Sequence, residues 1–207
     1  MSNIFKRAGA SLLDYARRAV TNIFINLMFG MTMFAVAAIE IDELVIILTY
    51  ALLILTFIAS FILMRGMGES AYKMKVAGDR LRSGLTSGLP PEKGADKYSP
   101  AKEYRDYKGF VIGFVVCIIP IVFVIVDVCT HSGGARLAYA MVAGWAFWPV
   151  LAISQNASLL FTLIPCAVQI AVAGVGYIMG GNKEKLRQFA LEQRAESVSR
   201  SKGAKKR

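Results

Sequence analysis

The sequence predicts an all-α, polytopic helical membrane protein, and its composition and its hydropathy pattern both support this. The 207 residues are 56% hydrophobic and have a mean hydropathy of +0.51, whereas soluble domains contain about 45–50% apolar residues. The apolar residues are concentrated in five blocks, which are residues 20–39, 44–64, 110–129, 138–153 and 158–179. A bilayer core of about 30 Å needs about 20 apolar residues in a helix, so four blocks are long enough to cross it.

The positive charges lie almost entirely on one side of the predicted spans. Of the 24 Lys and Arg residues, only Arg136 falls in a link on the other side. Cytoplasmic loops of membrane proteins carry an excess of Lys and Arg. We therefore expect a cell-membrane protein whose N-terminus, residues 65–109 and C-terminal tail are cytoplasmic. This topology also accounts for the net charge of +10 and the pI near 9.7, so no nucleic-acid partner is expected.

The N-terminal residues 1–19 have an apolar stripe among basic residues, which predicts an amphipathic helix at the membrane surface. The alternative is that they extend the first span. Ala35-Val36-Ala37 resembles a signal-peptide cleavage site, but the preceding apolar run exceeds the usual length of about 7–15 residues, and whether it is cleaved stays open. The next link is so short that residues 20–64 should form an antiparallel hairpin.

The polar regions that follow have a clear order. Residues 65–109 should be a cytoplasmic basic helix followed by a Gly- and Pro-containing loop. Residues 110–180 should hold the remaining spans. Residues 181–207 should form a cytoplasmic basic tail that begins as a helix and ends in disorder.

The block at residues 138–153 is the uncertain element. About 16 helical residues reach only about 24 Å, which is short for a span. A fifth full span would also place the basic tail outside, against the charge rule. We therefore predict four transmembrane helices plus one partial or re-entrant helix, with five transmembrane helices as the alternative.

A candidate polar cavity follows from the rare polar residues near this segment. Pro165 should leave a backbone carbonyl without its donor, and Gln169 lies one helical turn later. The predicted cavity is formed by five residues: Gln155, Pro165, Gln169, Trp145 and Trp148. The alternative is plain helix packing in which Gln169 makes one interhelical hydrogen bond. Asn22 and Asn26 share a face of the first span by their spacing.

Small residues at four-residue spacing predict close helix packing. The candidates are Gly109, Gly113 and Cys117 on the third span and Gly176 and Gly180 on the last. Packing within one chain and a seam between copies are both compatible with this pattern.

The sequence contains no pattern of catalytic, metal-binding or cofactor-binding residues, so we expect a non-enzyme without cofactors. We predict an accessory, assembly or regulatory component of the membrane. A small transporter or pore is the main alternative, and a membrane-embedded enzyme is a weaker one. The expected partners are the lipid bilayer, anionic headgroups, other membrane proteins or a second copy of the chain.

Overall fold

The computed structural model describes residues 2–37, 39, 42–86, 102–130, 133–153 and 158–204. Over these residues the chain is entirely helical apart from turns and short connections. The helices are α1 (Ser2–Val36), α2 (Asp42–Thr86), α3 (Lys108–Thr130), α4 (Gly133–Val142), α5 (Gly144–Leu151) and α6 (Leu163–Ala204), with a 3-10 turn at Leu159–Thr162 before α6.

Four of these helices, α1, α2, α3 and α6, are long and apolar enough to span a membrane. The predicted all-α membrane fold with four transmembrane helices is therefore confirmed. Close contacts join α1 to α2 and α3, and join α6 to the same two helices, so the four form a bundle. α1 and α3 enter the bundle at the same end, where Asp14 and Lys108 lie. We call this the basic end, and we call the other one the opposite end.

The fifth apolar block is not a span. It is divided between α4 and α5, which have 10 and 8 residues and meet at Ala143. Since α3 ends and α6 begins at the opposite end, this pair enters and leaves the bundle there. It packs mainly against α1 and fills the space between the long helices. We call α4 and α5 the re-entrant pair.

The long helices run past the boundaries that the sequence predicts. α1 is continuous from Ser2, so the predicted surface segment and the first span are one helix. α6 remains helical to Ala204, although the end of the tail was expected to be disordered. The physical reason is that residues 182–202 contain neither Gly nor Pro to end the helix. Most of the predicted loop after α2 lies outside the described residues.

The segment before α3 closes the basic end of the bundle. The Tyr104 amide donates to the Ala71 carbonyl at 3.1 Å. The Tyr104 ring stacks on Tyr177 of α6, with centroids 5.3 Å apart and planes inclined by 4°. Burial, assisted by the carboxylate of Asp106, raises the pKa of Tyr104 above its ordinary value.

Candidate functional site

A polar stripe runs along one face of α1 from the basic end into the bundle. It consists of Asp14, Arg18, Asn22 and Asn26, spaced four residues apart. Each four-residue step rises about 6 Å and turns by about 40°, so successive side chains of the stripe are neighbours on α1. The Asp14 side chain is only 8% exposed, and Asn22 and Asn26 are buried. The sequence analysis identified only the two Asn residues of this stripe. The same four-residue spacing, counted back to Arg18 and Asp14, could have identified the other two.

The stripe begins in an ion cluster at the basic end. The Arg18 guanidinium lies 3.0 Å from the Asp14 carboxylate. The ammonium of Lys108 lies 4.0 Å from the same carboxylate and 5.6 Å from the centre of the Tyr15 ring. Lys108 is 2% exposed. A buried ammonium needs an opposite charge, and Asp14 supplies it.

Deeper in the bundle the stripe joins a chain of hydrogen bonds between three helices. Gln169 Nε2 of α6 donates to Ser60 Oγ of α2 at 2.8 Å. Ser60 Oγ in turn donates to Asn22 Oδ1 of α1 at 2.7 Å. All three side chains are fully buried. We call Asn22, Asn26, Ser60 and Gln169 the polar cluster.

The polar cluster keeps hydrogen-bonding capacity that these bonds do not use. Four of its buried atoms have no partner among the described residues: Nδ2 of Asn22, both side-chain polar atoms of Asn26, and Oε1 of Gln169. An unsatisfied buried polar group costs about 1–3 kcal/mol. Few buried polar atoms in folded proteins stay unsatisfied, so four in one place require a specific explanation.

The re-entrant pair closes the stripe on the side away from the basic end. One turn beyond Asn26 is Gly30, and a Cβ there would lie 3.0 Å from the Trp145 amide nitrogen and 3.2 Å from that of Gly144. A Cβ at these distances would press on the α5 backbone, and glycine avoids this contact. Beyond this contact, Met33 and Trp145 belong to an apolar cluster, so the polar face of α1 ends here.

The structure divides the predicted polar cavity among several environments. Gln155 lies outside the described residues, so the complete set stays a prediction. Gln169 belongs to the polar cluster. Trp145 packs with Met33, and the Trp148 Nε1 donates to the Ala140 carbonyl at 3.2 Å.

Pro165 is in the first turn of α6, where backbone amides have no partner within the helix. It therefore leaves no carbonyl orphaned in the middle of a span, as the sequence argument had supposed. It lines a different space, an apolar cavity of about 520 Å³ between α2, α5 and α6. The one hydroxyl in its wall, on Tyr50, is bonded to the Pro149 carbonyl at 2.8 Å.

The predicted packing residues all lie at contacts inside the bundle. A Cβ on Gly180 would overlap the Arg65 carbonyl, and one on Gly176 would lie 2.9 Å from the Phe61 carbonyl oxygen. Gly109 and Gly113 of α3 face Ala173 of α6. Cys117 Sγ lies 3.4 Å from the Cys166 carbonyl oxygen and is fully buried.

A second feature lies at the basic end, where α2 and α6 run parallel past their apolar parts. Glu69 of α2 lies 3.2 Å from Lys73 and 3.3 Å from Lys183 of α6. Lys73 also lies 4.0 Å from Glu184, which is buried. We call these polar parts, residues 65–83 and 182–194, the projecting pair.

At the opposite end, Arg136, the single cation on that side of the predicted spans, forms an ion pair with Asp127. Arg136 Nε donates to Asp127 Oδ1 at 2.8 Å, and this carboxylate raises the pKa of Arg136. Within the described parts of the chain, no three His, Cys, Asp or Glu side chains are grouped as metal ligands.

Comparison with models of protein families, with curated proteins and with solved structures finds no match to this chain.

Proposed function

We propose that this chain is a non-catalytic accessory component of the cell membrane that works by binding another protein at its basic end. The observation that carries the proposal is the projecting pair, which keeps large apolar side chains exposed outside the apolar part of the bundle. Leu186 is 69% exposed and Phe189 is 58% exposed. Exposed apolar groups that cluster on a soluble surface commonly mark an interaction site.

The chemistry of this surface defines the partner it fits. Leu186 and Phe189 are three residues apart and so share one face of α6. Lys185, Arg187 and Arg194 belong to the same stretch and are exposed. The matching partner surface has an apolar centre and an acidic rim. Other cations at this end contact anionic lipid headgroups, each contributing about 1 kcal/mol near the membrane surface.

The proposed orientation places the basic end in the cytoplasm. Its support is the cation distribution, because 23 of the 24 Lys and Arg residues belong to the segments on this side of the spans.

Cysteine labelling tests the orientation. In a background without Cys117, Cys129 and Cys166, we expect an impermeant maleimide to label Ser158→Cys in intact cells. Ser83→Cys and Arg194→Cys should be labelled only after permeabilisation. Labelling of Arg194→Cys but not Ser83→Cys in intact cells would instead require five spans.

A photo-crosslinking residue in place of Phe189 tests the binding of a protein partner in native membranes. We expect an adduct with a different protein, and we expect Leu186→Ser to abolish it. A probe at Ile62, which is 64% exposed on an apolar span, is the control and should give lipid adducts. Adducts of the Phe189 probe with lipid or with the chain itself alone would refute the proposal.

A further inference from the structure

The polar cluster has as many free hydrogen-bond donor groups as free acceptor atoms. Asn22 and Asn26 each offer a free amide NH2 group, while Asn26 and Gln169 each offer a free carbonyl oxygen. The free set therefore contains two donor groups and two acceptor oxygens. No formal charge lies within the cluster, because its four members are amides and a hydroxyl.

This balance selects a class of ligand. An anion is best bound by donors alone, and a hard metal cation by oxygen ligands alone. Equal numbers of donors and acceptors suit a neutral molecule that both donates and accepts, such as water or a small amide- or urea-like solute. Such a molecule offsets the cost of the unsatisfied atoms on α1 and α6.

The position of the cluster also suits a binding site. Its atoms come from α1 and α6 and are bridged by Ser60 of α2, so the site lies between helices inside the bundle. The contact of Gly30 with Trp145 and Gly144 closes it toward the opposite end. Polar side chains within membrane spans are rare and usually functional, and here Asn22, Ser60 and Gln169 of three helices meet, with Asn26 one turn further along α1.

We propose that the polar cluster binds a small neutral hydrogen-bonding molecule, either water or a small solute of the amide or urea type. This site does not depend on the projecting pair or on any protein partner.

The test uses Asn26→Cys in the full-length protein without its native cysteines, reconstituted in liposomes. The Asn26 side chain makes no hydrogen bond with any of the described residues, so this change leaves the bonds between Gln169, Ser60 and Asn22 intact. The control is Met33→Cys, because Met33 is 0% exposed on the same helix, two turns further and beyond the Gly30 contact. The probe is methyl methanethiosulfonate, a small neutral thiol reagent whose reaction requires a hydrated thiol.

We expect Asn26→Cys to react at least about tenfold faster than Met33→Cys, which corresponds to about 1.4 kcal/mol in accessibility. Slowing of this reaction by molar urea identifies a solute site, whereas fast reaction without protection by urea identifies bound water. Equal, slow reaction of both cysteines overturns the proposal. Ser60→Cys provides a second position if Asn26→Cys does not give a monodisperse protein.

Discussion

The two halves of the bundle solve the same packing problem in opposite ways. In the half nearer the basic end, glycines let backbones touch, as Gly68 of α2 does with the Tyr177 carbonyl and Gly180 of α6 with that of Arg65. In the other half the re-entrant pair contacts α1, α2 and α3, and apart from the Gly30 contact with α5 its aromatic residues fill the space. Tyr139, Phe147 and Trp148 form successive ring contacts there, with centroids 5.2 and 5.3 Å apart.

The difference shows where a polar site can exist in a small membrane bundle. Helices held together by glycines leave no room between them, and a space filled by aromatic rings leaves no polar partner. The polar cluster lies at the junction. On one side, Ser60 directly precedes Phe61, which Gly176 meets, and Gln169 directly precedes Ile170, which Gly113 meets. On the other side, Gly30 meets Trp145 one turn beyond Asn26. The change in packing, rather than any single residue, creates this position.

Removing the aromatic filler should have the largest effect. Trp145→Ala should destabilise the fold by about 3–5 kcal/mol, because truncating a buried Trp leaves a cavity. The measurement is denaturant unfolding in detergent micelles. Leu137→Ala on α4, where the side chain is 58% exposed, is the control and should change stability little. If both changes lowered the free energy of unfolding equally, Trp145 would not contribute through the space that it fills.

Adding one methyl group at the glycine contacts should have the next largest effect. Gly180→Ala should cost about 1–3 kcal/mol or more, because its Cβ would overlap the Arg65 carbonyl and backbone cannot move aside easily. Gly66→Ala is the matched control, because a Cβ there meets nothing within 4 Å. It should stabilise α2 by about 0.5–1 kcal/mol. The measurement is the melting temperature, followed by size-exclusion chromatography after heating. A shift of both variants' melting temperatures in the same direction would contradict this explanation.

Breaking the polar cluster at the junction should have a smaller effect. Ser60→Ala removes the acceptor of Gln169 and the donor to Asn22. We expect a loss of about 1 kcal/mol in micelle unfolding, because interhelical hydrogen bonds in membrane proteins contribute about 0.6 kcal/mol each. Thr56→Val is the control, since the Thr56 hydroxyl donates to the Leu52 carbonyl of its own helix, at 2.8 Å, and bonds to no other helix among the described residues. A larger loss from Thr56→Val would show that the bonds between helices are not the important ones.

The smallest predicted effect concerns pH. The folded state raises the pKa of Tyr104 above its ordinary value of 10.0, so folding favours the protonated phenol. This contribution is complete below pH 10 and is lost as the pH rises above it. Tyr104→Phe keeps the ring on Tyr177 and removes the titration. Its unfolding free energy should therefore fall less steeply above pH 10 than that of the native chain, and parallel curves would contradict the assignment.

Several elements of the fold follow from local sequence because their physics is local. A span needs only a sufficient apolar length, so four helices could be predicted from the blocks alone. On the same argument the short block at residues 138–153 was predicted to be a partial helix, with a fifth span as the alternative, and the structure divides it between α4 and α5. The small residues on α3 and α6 could be selected by spacing, although spacing does not identify the residue that each one touches.

The polar site could not be predicted because its partners are distant in the chain. Gln169 was selected as polar within a span, but its partner is Ser60, more than 100 positions away. Ser60 resembles many other serines in membrane helices, and no local pattern distinguishes it. Pro165 is a second residue whose role the sequence could not give. A proline breaks a backbone hydrogen bond only inside a helix, and the 3-10 turn before α6 places Pro165 in the first turn of that helix.

The sequence by itself determined the membrane class, the positions of four long apolar helices and the charge difference between the two ends. These properties depend on hydrophobic length and charge, which are sums over neighbouring residues. Only the tertiary structure decided that α2 and α6 run side by side, that α5 closes on Gly30, and that Asn22, Ser60 and Gln169 meet. Such contacts depend on how the helices pack against each other, because lipid solvates all of their apolar faces about equally well and cannot select one arrangement.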